Sequence, residues 1–207
     1  DEEGGWKTDA PLIALEPELI DELSGPRKIR REPAPESEIP ALLKEAVITA
    51  EDKRFFKHWG IDPRAIMRSA WHNATRKGEP YGGSTITQQL AKNFFLSPER
   101  RYRRKIMEAV LAIYLEVRHS KEEILTLYLN HIYFGQDGAV GVAGIKSAAQ
   151  FYFGKNPLDL NLPECATLAG LIRSPYRYNP RRDPVSAKRR RDFVLRRMKD
   201  ERLISIR

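Results

Sequence analysis

The segment that decides the fold is residues 50–62, which read AEDKRFFKHWGID. Upstream of it, apolar residues recur at helical spacing, at Ile39, Leu42, Leu43, Ala46, Val47 and Ala50. This pattern predicts an amphipathic helix that begins after Pro40 and has Glu51 at its end. Phe55 and Phe56 follow, and a carboxyl group beside aromatic side chains loses hydration, which raises its pKa. Glu51 is therefore a candidate proton-transfer group, although Glu51 and Asp52 also fit an exposed acidic pair near a helix end.

The rest of the chain predicts a nearly all-α domain. Apolar residues recur at helical spacing in several further segments, and small residues suit a closely packed helix that ends near Gly154. No segment shows a convincing strand pattern, so we expect about eight or nine helices. The predicted helices after the first cover residues 61–77, 84–93, 106–118, 121–133, 141–153, 163–172 and 183–204.

Residues 1–38 differ in composition from the remainder, because they are rich in Pro, Glu and Arg. They predict an extended lead-in that packs on the main domain, with a short helix at residues 17–23. The main domain is expected to cover residues 39–207. The first residues do not resemble a signal peptide, and no run of about 18 apolar residues is present, so the chain is either cytosolic or separated from a membrane anchor.

The positive charge lies mainly at the C-terminal end. The formal net charge is +8, and the segment from Arg173 onward holds 13 Lys and Arg against 4 Asp and Glu. Such a balance favours anionic partners. Arg181, Arg182 and residues 188–191 fit either a surface that contacts phosphates or the solvated face of a terminal helix. A single cysteine, Cys165, excludes an internal disulfide and is expected to be buried between apolar neighbours.

Residues 82–85, Gly-Gly-Ser-Thr, resemble a phosphate-binding loop at the start of a helix. The glycines expose backbone N–H groups and the hydroxyls supply further donors, although a simple helix cap has the same sequence. Five basic residues then precede Glu108 within nine positions: Arg100, Arg101, Arg103, Arg104 and Lys105. Glu108 lies among apolar and basic residues, which makes it a second candidate carboxylate.

Taken together, four segments resemble the family 51 peptidoglycan glycosyltransferases, the domains of class A penicillin-binding proteins and monofunctional cell-wall glycosyltransferases. They are residues 51–60 (EDKRFFKHWG), 82–93 (GGSTITQQLAKN), 104–108 (RKIME) and 121–135, and a looser fifth match is 148–155 (AAQFYFGK). Their order and spacing cover roughly residues 40 to 180.

The resemblance implies an all-α, lysozyme-like fold with a large helical lobe and a small membrane-facing jaw at about residues 61–80. It implies a place on the outer face of the bacterial cytoplasmic membrane, with an N-terminal anchor that this sequence lacks. The implied reaction polymerises lipid II into β-1,4-linked glycan by inverting transfer from an undecaprenyl-pyrophosphate-linked donor. A transpeptidase domain in the full-length chain is compatible with it, and nucleic acid is not an expected partner.

Site residues follow from the same resemblance. Glu51 matches the family's general base and Glu108 its second essential carboxylate. No dedicated metal-ligand cluster is evident, and a Mg²⁺ or Mn²⁺ ion, where one takes part, is expected to bridge carboxylate and pyrophosphate. The expected contacts to pyrophosphate and sugar are Asp52, Ser84, Thr85, Gln88, Gln89, Lys92, Asn93, Arg100, Arg104, Lys105 and Lys155.

Three other interpretations fit parts of the sequence. A glycan-cleaving lysozyme or lytic transglycosylase would use one Glu as an acid, but it has no pyrophosphate to bind. A basic helical nucleic-acid-binding module fits the high pI but lacks a recognised motif. An inactive structural homologue is disfavoured because Glu51 and Glu108 are both present.

Overall fold

The computed structural model describes residues 29–75, 82–95 and 101–205. Within these ranges it is mainly helical, as predicted, but it also contains a three-stranded sheet, so the expectation of no strands is wrong. The predicted helix at residues 17–23 and the candidate residue Arg100 lie outside the described residues. The elements are β1 Ile29–Arg31, α1 Ala41–Glu51, α2 Pro63–Thr75, α3 Ile86–Phe95, α4 Arg101–Arg118, α5 Lys121–His131, β2 Tyr133–Asp137, β3 Val140–Ala143, α6 Ile145–Phe153, α7 Leu162–Ile172 and α8 Pro184–Asp200.

Helix α7 lies at the centre of the core and packs against α1 and α8. Its buried residues include both large and small apolar side chains, and Cys165 is fully buried within it, as predicted. Gly170 permits close packing of α8, because a Cβ atom there would lie 2.9 Å from Cγ of Arg190. The aliphatic part of Arg190 therefore runs over α7, and its guanidinium group reaches the end of α1.

The sheet joins segments that are distant in sequence. Strand β3 is central, with β1 parallel on one side and β2 antiparallel on the other. Residues 140–143 therefore form a strand where a helix is predicted, and α6 begins only at Ile145. The lead-in packs on the domain through residues 29–38, where Asn130 exchanges two 2.8 Å hydrogen bonds with the backbone of Ala34.

The turn after α1 is fixed to the start of α3. Asp52 Oδ2 accepts a hydrogen bond from the Ile86 backbone N–H (3.1 Å). The same oxygen lies 2.9 Å from His58 Nε2. Thr85 and Gln88 cap α3 reciprocally, each side chain accepting the other residue's backbone N–H at 3.1 Å. Thr85 also donates its hydroxyl to the carbonyl of Gly60. These contacts place α3 directly beside Glu51.

Candidate active site

A cleft with a volume of about 700 Å³ opens between the ends of α1 and α7 and the helices α3, α4 and α8. Two carboxylates, Glu51 and Glu108, line it together with polar and apolar groups. Its wall is strongly basic, because six Lys and Arg side chains contribute to it. These are Lys92, Arg104, Lys105, Arg173, Arg190 and Arg197.

Glu51 is the last residue of α1, as the sequence predicts, and its side chain is only 8% exposed. Burial raises the pKa of Glu51, while the hydrogen bond from Gln89 and the charges of Arg190, Arg173 and Arg197 partly oppose that rise. The pKa of Glu51 is raised, as predicted, but the aromatic residues expected to bury it are not the ones that line the cleft. Phe55 is buried away from the cleft and Phe56 is exposed, whereas Tyr178 and Phe193 line the cleft.

The two oxygens of Glu51 have different surroundings. Oε2 accepts a 3.1 Å hydrogen bond from Nε2 of Gln89, whose Oε1 in turn accepts one of 2.9 Å from the hydroxyl of Tyr128. Within the described part of the chain, Oε1 of Glu51 has no hydrogen-bond partner, and it lies 3.8 Å from Nη2 of Arg190. Oε1 therefore keeps lone pairs that no hydrogen bond of the described residues uses.

Glu108 is buried on α4 and pairs with two cations of the same helix. Its Oε2 accepts a 2.7 Å hydrogen bond from Nζ of Lys105, and its Oε1 lies 3.4 Å from Nε of Arg104. Lys105 also donates to the hydroxyl of Ser84 at 2.8 Å. Glu108 thus holds two cations at the mouth of the cleft, next to the Gly-Gly-Ser-Thr segment.

Most of the predicted site residues line this one cleft, although they come from three helices and a loop. They are Glu51, Ser84, Gln88, Gln89, Lys92, Asn93, Arg104, Lys105 and Glu108. Asp52 and Thr85 instead border a smaller adjoining cavity, where both hold backbone groups in place. Lys155 lines neither cavity and pairs with Glu164 at 2.8 Å.

Sequence reasoning missed two cations of the cleft wall, Arg173 and Arg197, and left Arg190, one of residues 188–191, open between a phosphate-contacting surface and a solvated helix face. The two on α8 are seven residues apart and therefore share one helix face, beside the buried residues Ala187, Val194 and Met198. The spacing was visible in the sequence, but the surrounding run of Lys and Arg resembles a solvated helix. Tyr128 was also missed, because in sequence it is one apolar residue of α5 among several.

Several large apolar side chains are exposed on α2 and α4. On α2 they are Ile66, Met67 and Trp71, and on α4 they are Ile106, Met107, Val110, Ile113, Tyr114 and Val117. No helix in the described ranges is long and apolar enough to cross a bilayer. In the same ranges no group of three or more His, Cys, Asp or Glu is arranged to hold a metal ion.

Comparison with known proteins gives the same assignment as the motifs. The family model described as "Transglycosylase" matches residues 16–199. Penicillin-binding protein 1A of Neisseria flavescens is 48% identical over 86% of this chain and 22% of its own length. Penicillin-binding protein 1F of Bacillus subtilis is 43% identical over 89% of this chain and 25% of its own length. A crystal structure of penicillin-binding protein 1A from Haemophilus influenzae is 26% identical and covers 86% of this chain and 16% of that one, with a TM-score of 0.49.

The chain spans about a quarter or less of the length of the curated relatives it matches. The family match nevertheless extends over most of this chain and includes every element of the cleft. Since the matched residues contain Glu51, the Gly-Gly-Ser-Thr segment and Glu108, the chain belongs to the transglycosylase family, the family 51 peptidoglycan glycosyltransferases.

Proposed function

We propose that this chain polymerises lipid II into β-1,4-linked glycan strands, with undecaprenyl-pyrophosphate-linked glycan as donor and Glu51 as general base. The observation that carries the proposal is a buried carboxylate on the wall of a cleft lined by six cations, with one oxygen that accepts no hydrogen bond from the described residues. An inverting displacement that expels a pyrophosphate requires this combination of a base and positive charge.

The base must remove a proton from the acceptor hydroxyl on the face opposite the leaving group. Glu51 is suited to this role because burial raises its pKa, so the ionised carboxylate is a stronger base than an exposed one. Gln89 fixes Oε2 by hydrogen bonding, and Oε1 is the oxygen that accepts the proton.

The leaving pyrophosphate needs no proton, but its negative charge must be stabilised as the sugar–oxygen bond breaks. Lys92, Arg104 and Lys105 supply charged donors from α3 and α4, and Ser84 adds a hydroxyl. Charge-assisted hydrogen bonds of this kind are the stronger ones in proteins. Gly82 lines the cleft without a side chain, whereas Gly83 packs against α2, where a Cβ atom would lie 3.1 Å from the carbonyl oxygen of Ala65.

Glu108 acts on the cations rather than on the sugar in this proposal. Both of its oxygens face cations of α4, Arg104 and Lys105, and its side chain is buried. The carboxylate therefore holds Lys105 between itself and Ser84, where a phosphate oxygen would replace the serine contact.

A divalent cation, where one takes part, would bind together with the substrate in this proposal. Glu108 already pairs with two cations, and no cluster of three suitable ligands is present in the described ranges. A Mg²⁺ or Mn²⁺ ion would therefore depend on the substrate's pyrophosphate oxygens for most of its ligands.

The exposed apolar residues of α2 suit a membrane contact, because lipid II is embedded in a bilayer. Met67 is 66% exposed and Trp71 is 74% exposed on the same helix. Residues 61–80 then form the jaw of the proposed enzyme at the outer face of the cytoplasmic membrane, although residues 76–81 lie outside the described part. An anchor and a transpeptidase domain in the full-length protein are part of the same proposal.

The main rival is a glycan-cleaving enzyme, in which Glu51 would be an acid. The six cations of the cleft disfavour it, because a glycan chain without a pyrophosphate carries no phosphate charge for them to neutralise. A nucleic-acid-binding module is disfavoured by the position of Arg190 and Arg197, which line the cleft rather than an outer surface.

The direct test is incubation of the chain with fluorescent lipid II in detergent, with purified glycan strands in a parallel reaction. We expect long polymer from lipid II and no fragments from the glycan. Fragments from the glycan with no polymer from lipid II would replace this proposal by the cleaving rival.

A further inference from the structure

We propose that Tyr128 is a positioning residue that acts through Gln89, and that it holds Glu51 in the ionised state with Oε1 free to accept a proton. The inference rests on the proposed role of Glu51 as base. The three side chains come from α5, α3 and α1, and they form one hydrogen-bonded chain.

The orientation of the Gln89 amide is the critical feature, because its two ends have opposite hydrogen-bonding roles. The Tyr128 side chain is fully buried, and burial raises its pKa well above the ordinary value, so its hydroxyl keeps its proton. A protonated hydroxyl can donate to the oxygen of Gln89 at 2.9 Å, which leaves the amide nitrogen facing Glu51 at 3.1 Å.

The opposite orientation would favour the opposite state of the base. If the amide rotated, its oxygen would face Glu51 and stabilise the protonated carboxyl, while the Tyr128 hydroxyl would face the amide NH₂ group. The phenolic oxygen could then accept from the amide, but the buried phenolic proton would lose Oε1 of Gln89, the acceptor that the structure gives it. Tyr128 therefore opposes the rotation and, through it, protonation of Glu51.

Other charged groups also act on Glu51, and Arg190 lies 3.8 Å from its Oε1, the oxygen that Gln89 does not contact. Arg173 follows α7, Arg190 and Arg197 belong to α8, and their charges lower the pKa of Glu51. Asp52 adjoins it in sequence. The more distant charged and titratable groups of the cleft are His72, Lys92, Arg104, Lys105 and Glu108. Removal of the Tyr128 hydroxyl leaves all of them in place, so the contribution of Tyr128 can be measured separately.

The experiment is Tyr128→Phe, in which the pKa of Glu51 is measured by ¹³C NMR of the labelled glutamate carboxyl, assigned with Glu51→Gln. We expect the pKa to rise by roughly half to one unit, the range set by the loss of one hydrogen bond between neutral groups, here that of Tyr128 to Gln89. The acidic limb of the polymerisation profile should move up by the same amount. An unchanged Glu51 pKa would overturn the proposal.

Tyr152→Phe is the matched control. Its hydroxyl is also part-buried and donates at 2.8 Å, but to the backbone carbonyl of Phe134, outside the cleft. This variant loses an equivalent hydrogen bond and should leave the pKa of Glu51 unchanged. An equal shift in both variants would mean that the effect is a general loosening of the fold, and would overturn the proposal.

Gln89→Met provides the second variant and tests the route. It should raise the pKa of Glu51 by at least as much as Tyr128→Phe, and adding Tyr128→Phe to it should have no further effect. Additive shifts would show that Tyr128 acts independently of Gln89. The NMR measurement of the Glu51 pKa does not depend on turnover. A Glu51→Gln variant that still polymerises lipid II would therefore refute the role of Glu51 as base. It would not change the pKa shifts expected for Tyr128→Phe and Gln89→Met.

Discussion

At the scale of single residues, burial and nearby positive charge act in opposite directions on the pKa of Glu51. Burial raises the pKa of Glu51, whereas Gln89 and three arginines partly restore its ionised form. Sequence reasoning predicted the carboxylate from the apolar helix that ends at it, and it predicted the direction of the pKa shift from Phe55 and Phe56, which do not line the cleft. It could not predict the compensating partners Arg190 and Tyr128, because they lie 139 and 77 positions away along the chain.

Glu51→Gln should change how stability depends on pH. The pKa of Glu51 is higher in the native state than the unfolded value of 4.5. At a pH between these two values the native state binds more protons than the unfolded state. The free energy of unfolding of the parent therefore falls as pH rises through this range. Gln cannot ionise and avoids that loss. Urea unfolding should therefore show the variant to be more stable than the parent at pH 7, with the difference vanishing below pH 4.5. A variant less stable than the parent at pH 7 would contradict the assigned burial.

Lys92→Ala should weaken binding of moenomycin, a phosphoglycolipid that imitates the lipid-linked donor in this family. Lys92 lines the cleft, and a charge-assisted contact contributes about 1.5 to 3 kcal/mol, which corresponds to roughly a 10- to 150-fold loss of affinity. Lys199→Ala, on the exposed end of α8, is the charge-matched control. Equal affinities of the two variants, measured by calorimetry, would remove Lys92 from the phosphate site.

At the scale of elements, helices were predicted well and strands were not. The start of α1 after Pro40 and its end at Glu51 are confirmed, because an apolar stripe and a proline are local signals. Strand β3 is short and contains Gly141, and β1 pairs with it from more than 100 residues away. Such a strand has no local period, because the pairing that stabilises it is nonlocal.

Helix α2 allows a direct test of the proposed jaw. Ile66 and Met67 are 45% and 66% exposed, so Ile66→Glu with Met67→Glu should leave the melting temperature nearly unchanged. If the helix contacts lipid, the added charges should reduce binding to anionic liposomes and turnover of long-chain lipid II in bilayers. Arg64→Glu with Arg68→Glu, on exposed positions of the same helix, separates lost headgroup attraction from lost apolar contact. A large fall in melting temperature, with liposome binding intact, would mean that these residues pack in a core.

At the scale of the whole molecule, the cleft collects groups from both ends of the described chain. Motifs in residues 51–108 supply Glu51 and the predicted cations, and these were accessible from sequence because each motif is contiguous. The opposite wall comes from α7 and α8, where Gly170 allows Arg190 to approach Glu51. The sequence of α8 resembles a solvated basic helix, but its packing against α7 places Arg190 and Arg197 in the wall of the cleft.

The most direct test of the central claim is the rate of lipid II polymerisation by Glu51→Gln. Glu122→Gln, at an exposed position in the first turn of α5, is the control for a lost carboxylate. We predict that the parent and the Glu122 variant polymerise lipid II at similar rates, and that Glu51→Gln loses a factor of about 10² to 10⁴ while it remains folded. Polymerisation by a folded Glu51→Gln variant at the parental rate would contradict the account.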